Sequence, residues 1–151
     1  MAKNAIYSLY SHCVKYWRLS ARNVLATSIE AGALKFKDKL WASELFKIGG
    51  MYSIRGFDEE AIFASEFIFS TIEYRYRFEQ RSNAFVFFQF GGYKSESILR
   101  TTSSYLFSGG IGTMLNTGVG MFTVMYAMGK SKEQDLRLRT AKIHFGYVTR
   151  F

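Results

Sequence analysis

Apolar and polar positions alternate with a period of two along most of this chain, the spacing of β-strands with two unlike faces. The alternation is cleanest from residue 66. Ile68, Ser70, Ile72, Tyr74, Tyr76 and Phe78 fall on one side there, and Thr71, Glu73, Arg75 and Arg77 on the other. One face is greasy and one is charged. A soluble sheet packed on a core shows the same alternation, so the period fixes a strand and leaves its surroundings open.

The same reading predicts further strands on either side. Residues 4–17 are aromatic-rich and β-favouring, with imperfect alternation. Residues 23–34 put Leu25, Thr27, Ile29, Ala31 and Ala33 on one face and Ser28 and Glu30 on the other. That window reads as a strand, although an amphipathic helix fits its spacing nearly as well and propensity does not separate the two. Residues 83–93 are apolar on both faces, Phe85, Phe87 and Tyr93 opposing Val86, Phe88 and Phe90, so the period does not say which way this strand points. Residues 104–115 carry Tyr105, Phe107, Ile111 and Leu115, with Gly109 and Gly110 marking a bend or a close backbone approach. Asn116-Thr117-Gly118 is a tight hairpin signal, followed by a strand to about residue 128. A last strand, 136–151, sets Ala141, Ile143, Phe145, Tyr147 and Phe151 against Lys142, His144, Gly146 and Arg150. The sum is about seven strands, joined alternately by short turns (18–22, 79–82, 116–118) and longer polar segments (35–65, 94–103, 130–135). Outer-membrane barrels show this asymmetry, with the turns on the periplasmic side.

Composition narrows the function classes. The chain has 151 residues, in the one-domain range, with 18% aromatic residues and no proline. Its single cysteine, Cys13, excludes an internal disulfide framework, and neither Cys13 nor the two histidines, His12 and His144, has metal-ligand or thiol-catalysis spacing. The net charge of +8 is scattered rather than gathered on one element, and no RNA-binding signature accompanies it, so nucleic acid is not expected as a partner. There is no Gly-x-Ser-x-Gly and no phosphate-binding glycine loop. The reading is non-enzymatic, without cofactor or metal. No run approaches the roughly 18 apolar residues of a transmembrane helix. The first eight residues lack the apolar core of a secretory leader.

Residues 35–65 lack a sustained period, and a structureless loop of that length in a compact domain is usually functional or disordered. Gly49, Gly50 and Gly56, with Arg55, the aromatics and the acidic run Asp58-Glu59-Glu60, argue for a loop that folds back on itself and needs a charge partner. Short helical turns are expected at 42–46 and 58–63.

Ile54-Arg55-Gly56-Phe57, preceded by Gly49-Gly50 and followed by Ser65 and a strand carrying Glu73-Tyr74-Arg75-Tyr76, resembles the signature of the BamA-like superfamily of outer-membrane barrels. The resemblance runs from about Leu45 to Phe151. It implies an all-β fold, the C-terminal part of an antiparallel transmembrane β-barrel matching strands 10–16 of sixteen, with residues 35–65 as a long lumenal loop. Residues 1–151 would then be one part of that barrel domain, with the N-terminal barrel strands and periplasmic domains belonging to a longer chain. It implies that Arg55 dips into the lumen and that Glu73, on the inner face of the next strand, is its acidic partner, a pairing for which a bidentate contact is available. Where family members often place an Asp, this chain has Gln89, an uncharged acceptor. The ending, with His144, Gly146, Tyr147 and Phe151, resembles the C-terminal signal by which barrel proteins are recognised for assembly, and Gly146 is implied to weaken pairing at the barrel seam.

The function implied is a component of an outer-membrane protein assembly, insertion or polypeptide translocation barrel in the bacterial outer membrane. Its implied partners are outer-membrane lipids, unfolded outer-membrane or secreted polypeptides, and accessory lipoproteins. A different class stays open beside it: a soluble β-sheet ligand- or nucleic-acid-binding module with an aromatic face. An odd number of strands leaves an open edge, which hydrocarbon does not tolerate.

Overall fold

In a computed structural model of the protein, residues 6–37, 40–98, 100–135 and 137–149 are described. Seven long strands form one antiparallel sheet: β1 (Tyr7–Arg18), β2 (Asn23–Lys35), β5 (Glu66–Arg77), β6 (Asn83–Glu96), β7 (Thr101–Thr117), β8 (Gly120–Lys130) and β9 (Lys142–Val148), each hydrogen-bonded to the next in that order. The sheet is open. Among the described residues β1 and β9 form its two edges and do not pair with each other. Two short strands, β3 (Phe46–Ile48) and β4 (Ile62–Ala64), make a separate hairpin inside the long connection between β2 and β5. Two wall strands therefore precede the long loop and five follow it.

The register carries the period-two pattern across the whole sheet. Leu25 pairs with Tyr74, Thr27 with Ile72 and Ala31 with Ile68. Tyr74 continues to Val86, Ile72 to Phe88 and Ser70 to Phe90. Direct partners in an antiparallel pair share a face, so these apolar residues form one continuous outward surface. It is left uncovered, with Ile111 62% and Ile143 74% exposed. An uncovered apolar face of this extent marks a surface that meets something other than water.

The opposite face is covered by the long loop. Phe67 and Phe69 of β5, Leu106 of β7, and Ile48, Ile54, Phe57 and Ala64 of the loop form one buried cluster. Phe67 stacks on Phe69 with ring centroids 5.5 Å apart and meets Phe46 edge-on at 5.4 Å. A fully buried Phe stabilises by roughly 1.5–3 kcal/mol, so the loop is held by apolar burial as much as by polar contacts. Phe85 and Phe87 also lie on this covered side, which settles the direction of β6 that the sequence left open.

One expectation on the elements is settled in favour of the strand reading, and three need correction. Residues 23–34 are strand, because the alternation matches the outward faces of both neighbours, β1 and β5. The predicted helical turn at 58–63 is instead a turn with Glu60 at φ 53° leading into β4, whose Ile62 and Ala64 pair with Ile48 and Phe46. The polar segment 94–103 is mostly ladder: Lys94 pairs with Ser103 and Glu96 with Thr101, so only 97–100 connect β6 to β7. The apolar period stops there but the pairing does not, helped by the Lys94–Glu96 ion pair and β-favouring threonines. The last strand covers Lys142–Val148, preceded by a 3-10 turn at Leu138–Thr140. The Thr140 hydroxyl closes that turn by donating to the carbonyls of Asp135 (3.1 Å) and Arg137 (2.9 Å). Phe151 lies outside the described residues.

Candidate functional site: the loop tip on the inner sheet face

The tip of the long loop is built by backbone geometry that only glycine accommodates easily. Gly49 and Gly50 have φ of 118° and 98°, and Gly56 has φ of 86°. The amide of Gly50 donates to the Ile54 carbonyl (3.1 Å), and that of Ser53 to the Gly50 carbonyl (3.3 Å), which closes residues 50–54 into a tight ring. At Gly56 a Cβ would stand 2.6 Å from the Met128 carbonyl carbon, so the motif glycine lets the loop touch the backbone of β8. The acidic run ties the ring shut. Glu59 Oε1 accepts from the Met51 amide at 2.8 Å, Glu60 pairs with Lys47 at 3.3 Å, and Asp58 reaches across to Lys142 of β9 at 2.7 Å.

This scaffold delivers Arg55 to the inner face of β5 and β6. Arg55 Nη1 donates to Glu73 Oε2 at 2.6 Å, and both residues are buried, at 9% and 6% exposure. The contact is one nitrogen to one oxygen rather than a two-pronged fork. The other carboxylate oxygen is occupied by Arg75 Nε, also at 2.6 Å, because residues 73 and 75 share one face of β5. The Arg55 guanidinium sits over the Phe87 ring, its Cζ 3.6 Å from the centroid, a desolvated cation–π contact of up to about 2 kcal/mol. Burial pulls the Arg55 pKa below its ordinary value while Glu73 opposes the shift. An arginine stays charged under such a load.

Gln89 is the second anchor. Its Oε1 accepts from the Arg55 amide (2.8 Å), from Arg55 Nε (3.3 Å) and from the Ser108 hydroxyl (3.2 Å). Its Nε2 donates to the Ser53 carbonyl (3.1 Å) and to the Thr71 hydroxyl (3.0 Å). An amide does here what an ionised acid cannot, because the Ser53 carbonyl requires a donor.

A third set of contacts joins the tip to β8 and β9. The Gly56 amide donates to His144 Nε2 at 3.4 Å, which requires the neutral tautomer with that nitrogen unprotonated. Gln134, from the connection between β8 and β9, donates through Nε2 to the carbonyls of Gly56 (3.2 Å) and Gly129 (3.0 Å). The Phe57 ring lies over Gly129 and the Met51 side chain over Gly146, where added Cβ atoms would come 2.6 Å from Phe57 Cε2 and Met51 Cε. Gly146 is itself paired with Thr123, and Tyr147 stacks on Phe122 of the neighbouring strand at 4.5 Å on the outward side.

The structure thus brings together Ile54, Arg55, Gly56, Phe57, Glu73, His144 and Gly146, while Tyr147 points away from them. Sequence reasoning missed Arg75 as the second ligand of Glu73, although its spacing of two on the same strand signals it. It missed Phe87 and Gln134 outright. Nothing local marks Gln134, which meets Gly56 only through the fold. Between the tip and the inner faces of β1, β2 and β5 a polar cavity of about 220 Å³ remains, bordered by His12, Glu30, Tyr52 and Arg75. Among the described residues no helix is long and apolar enough to cross a membrane, and no group of His, Cys, Asp or Glu is placed to hold a metal ion.

Comparison with curated protein sequences gives no match. The Omp85 superfamily domain, by contrast, matches residues 2–151, nearly the whole chain, which carries an open antiparallel sheet with an apolar outer face and a glycine-arginine loop folded against its inner one. The chain belongs to the Omp85 superfamily, a family of outer-membrane assembly and translocation barrels.

Proposed function

We propose that this chain forms a sector of the wall of an outer-membrane barrel that inserts outer-membrane proteins or passes polypeptides across the bacterial outer membrane, with residues 35–65 as its lumenal loop. The observation that carries the reading is the buried Arg55–Glu73 contact, which ties the loop tip to the covered face of a sheet whose other face is bare hydrocarbon and aromatic side chains. A soluble module would leave that outer face in water at high cost.

In this reading the edges of β1 and β9 are completed by further strands, because unpaired backbone in hydrocarbon costs several kcal/mol per group. Residues 1–151 are then one part of a barrel domain with periplasmic domains elsewhere in the protein. The ring at 50–54 and its three anchors hold the lumen partly filled until a client displaces them. Unfolded polypeptides are the clients, outer-membrane lipids surround the wall, and accessory lipoproteins are partners. His144, Gly146, Tyr147 and Phe151 form the assembly signal of the last strand.

The test is an immunoblot of outer-membrane and soluble fractions, with samples run unheated and boiled. A membrane band well above the 17.4 kDa of this chain that changes mobility on boiling is the expected result. A soluble band at 17.4 kDa without a heat shift overturns the reading.

A further inference from the structure

The inner face of β1, β2 and β5 carries an excess of positive charge toward the short-turn end. The register sets Arg18 opposite Val24 and Val24 opposite Arg75, so the three share one inner row. The next row holds Tyr16, Ala26 and Glu73, with the loop's Arg55 bonded to Glu73. Three arginines therefore stand around one carboxylate, and both of its oxygens are taken, one by Arg55 and one by Arg75. Glu30, two rows toward the long-loop end, accepts from the Tyr10 hydroxyl at 2.9 Å, and Glu79, in the β5–β6 turn, accepts from the Ser82 hydroxyl at 3.0 Å. Among the described residues neither of these acids forms an ion pair with the arginines. Arg77, the next inner residue of β5, donates through Nη2 to the Gln80 carbonyl at 3.0 Å.

Arg18 and Arg75 keep donors to spare. Arg75 engages Glu73 through Nε at 2.6 Å, and among the described residues its two Nη nitrogens form no hydrogen bond. Its guanidinium carbon lies 5.5 Å from the centre of the Tyr16 ring, which braces it. The side chain is one third exposed and borders the polar cavity of about 220 Å³, whose wall also carries the hydroxyls of Ser28, Tyr52 and Thr71. Arg18 is exposed, and among the described residues its guanidinium has no carboxylate within ion-pair distance. Only the short side chain of Val24 stands between the two, and two strand spacings put their Cα atoms about 10 Å apart. One carboxylate placed over Val24 meets a planar fork of donors from each side.

We infer that Arg18 and Arg75 form a lumenal site for a carboxylate of an extended polypeptide client, at the short-turn end of the wall. The inference deepens the proposed function and rests on it. Lipid headgroups do not reach this row, because the residues that face outward are the alternate ones, Trp17, Leu25 and Tyr74. A polypeptide supplies carboxylates on Asp, on Glu and at its chain end. Binding one leaves the loop anchor intact, since Arg55 stays on Glu73 and the client takes only the free donors of Arg75 and Arg18. The site gives the inner face a preference for acidic client segments over neutral ones and disfavours basic ones by like-charge repulsion.

The experiment uses the full-length protein purified in non-ionic detergent and reads fluorescence anisotropy of peptides carrying a neutral fluorophore. The probes are an alternating Ser-Glu peptide with an amidated end, the matching Ser-Gln peptide with an amidated end, and the Ser-Gln peptide with a free C-terminal carboxylate. Wild type is expected to bind a carboxylate-bearing probe at least about tenfold more tightly than the amidated Ser-Gln peptide, and whichever probe is preferred identifies the source as side chain or chain end. Arg18→Gln, at an exposed residue, is expected to lower the preference several-fold, and Arg18→Gln with Arg75→Gln to bring it close to one. Arg22→Gln, whose Nη1 reaches the outward Tyr76 hydroxyl at 3.5 Å, should leave it unchanged. Equal affinity of wild type for all three peptides, or a preference that survives in the double variant, overturns the inference. So does a loss in Arg22→Gln as large as in Arg18→Gln, which would make the effect diffuse charge, or displacement by inorganic phosphate at the peptide's own concentration, which would make this a free-anion site. Each sample is run unheated and boiled: loss of the heat shift in wild type removes the barrel reading itself, whereas a heat-shifted wild type without peptide preference removes only the carboxylate site. Where the double variant loses its heat shift, Arg18→Gln alone decides.

Discussion

Glu73→Gln is the most informative single change at the loop anchor. It preserves side-chain shape and one acceptor oxygen but removes the only negative charge between two arginines. In the wild type, Arg55 and Arg75 each place a nitrogen 2.6 Å from one oxygen of that carboxylate. Breaking a buried ion pair from one side costs about 3–5 kcal/mol, since the remaining charge stays desolvated. Arg75 is a third exposed at its side chain and can turn toward solvent, whereas Arg55 is 89% covered and cannot. The contacts from Arg55 to Phe87 and Gln89 survive the change. The expected loss therefore sits at the low end, about 3 kcal/mol of loop docking, or about a hundredfold in the docking equilibrium. Hydrogen exchange of the amides of Arg55 and Gly56 reads it directly, because both are held only while the tip is docked. Exchange there should speed up by about two orders of magnitude while the β5–β6 ladder keeps its protection. Arg75→Gln serves as the comparison. It leaves one arginine facing one carboxylate and should cost less than about 1 kcal/mol. Equal effects of the two substitutions would show that charge balance at Glu73 does not hold the loop.

Three further outcomes follow from the same geometry. Gln89→Ala strands the Arg55 amide, the Ser108 hydroxyl and the Ser53 carbonyl at once, and should weaken loop docking by about 2–3 kcal/mol by the same exchange measurement; Gln89→Glu should not fully restore it, since the Ser53 carbonyl needs a donor. Gly56→Ala combines a φ of 86° with a Cβ 2.6 Å from the β8 backbone and should cost at least the ~1 kcal/mol of the left-handed conformation alone, read as a lower heat-mobility midpoint. Gly118→Ala, with nothing within 4 Å of the new atom, should leave the midpoint unchanged. Gly146→Ala should loosen the loop through Met51, and Met51→Ala in the same chain should rescue it; a defect that Met51→Ala does not rescue would assign Gly146 to strand pairing instead.

The wall of this protein was legible in its sequence because a buried or lipid-facing side chain repeats every second residue, and a one-residue slip would reverse both faces. Strands such as β5, with Ile68 to Tyr76 opposing Glu73 and Arg75, state their two faces outright. Strand β6 does not, since Phe85 and Phe87 fill the inner side under the loop while Val86 and Phe88 line the outer; two apolar environments of different kind leave the same mark. The ladder past Tyr93 was hidden because β6 and β7 continue beyond the apolar belt with polar residues, where pairing no longer tracks hydrophobicity. The β3–β4 hairpin is three residues per strand, too short for a period to register. At the loop anchor, Arg55 and Glu73 stood out by motif and by face. Gln134 and Phe87 could not, because their roles come from three-dimensional neighbours 78 residues away in one case and from a ring lying under a guanidinium in the other.

The central claim is that the apolar face meets lipid while the loop fills the inside. Spin labels on Ile72→Cys and Ile111→Cys for the outward face, and on Tyr52→Cys for the exposed edge of the loop tip, test it in bilayers, with Cys13→Ser as background. Collisions with oxygen, which concentrates in hydrocarbon, should dominate at 72 and 111, and collisions with a water-soluble nickel chelate at 52. Nickel-accessible labels at 72 and 111 would contradict the account.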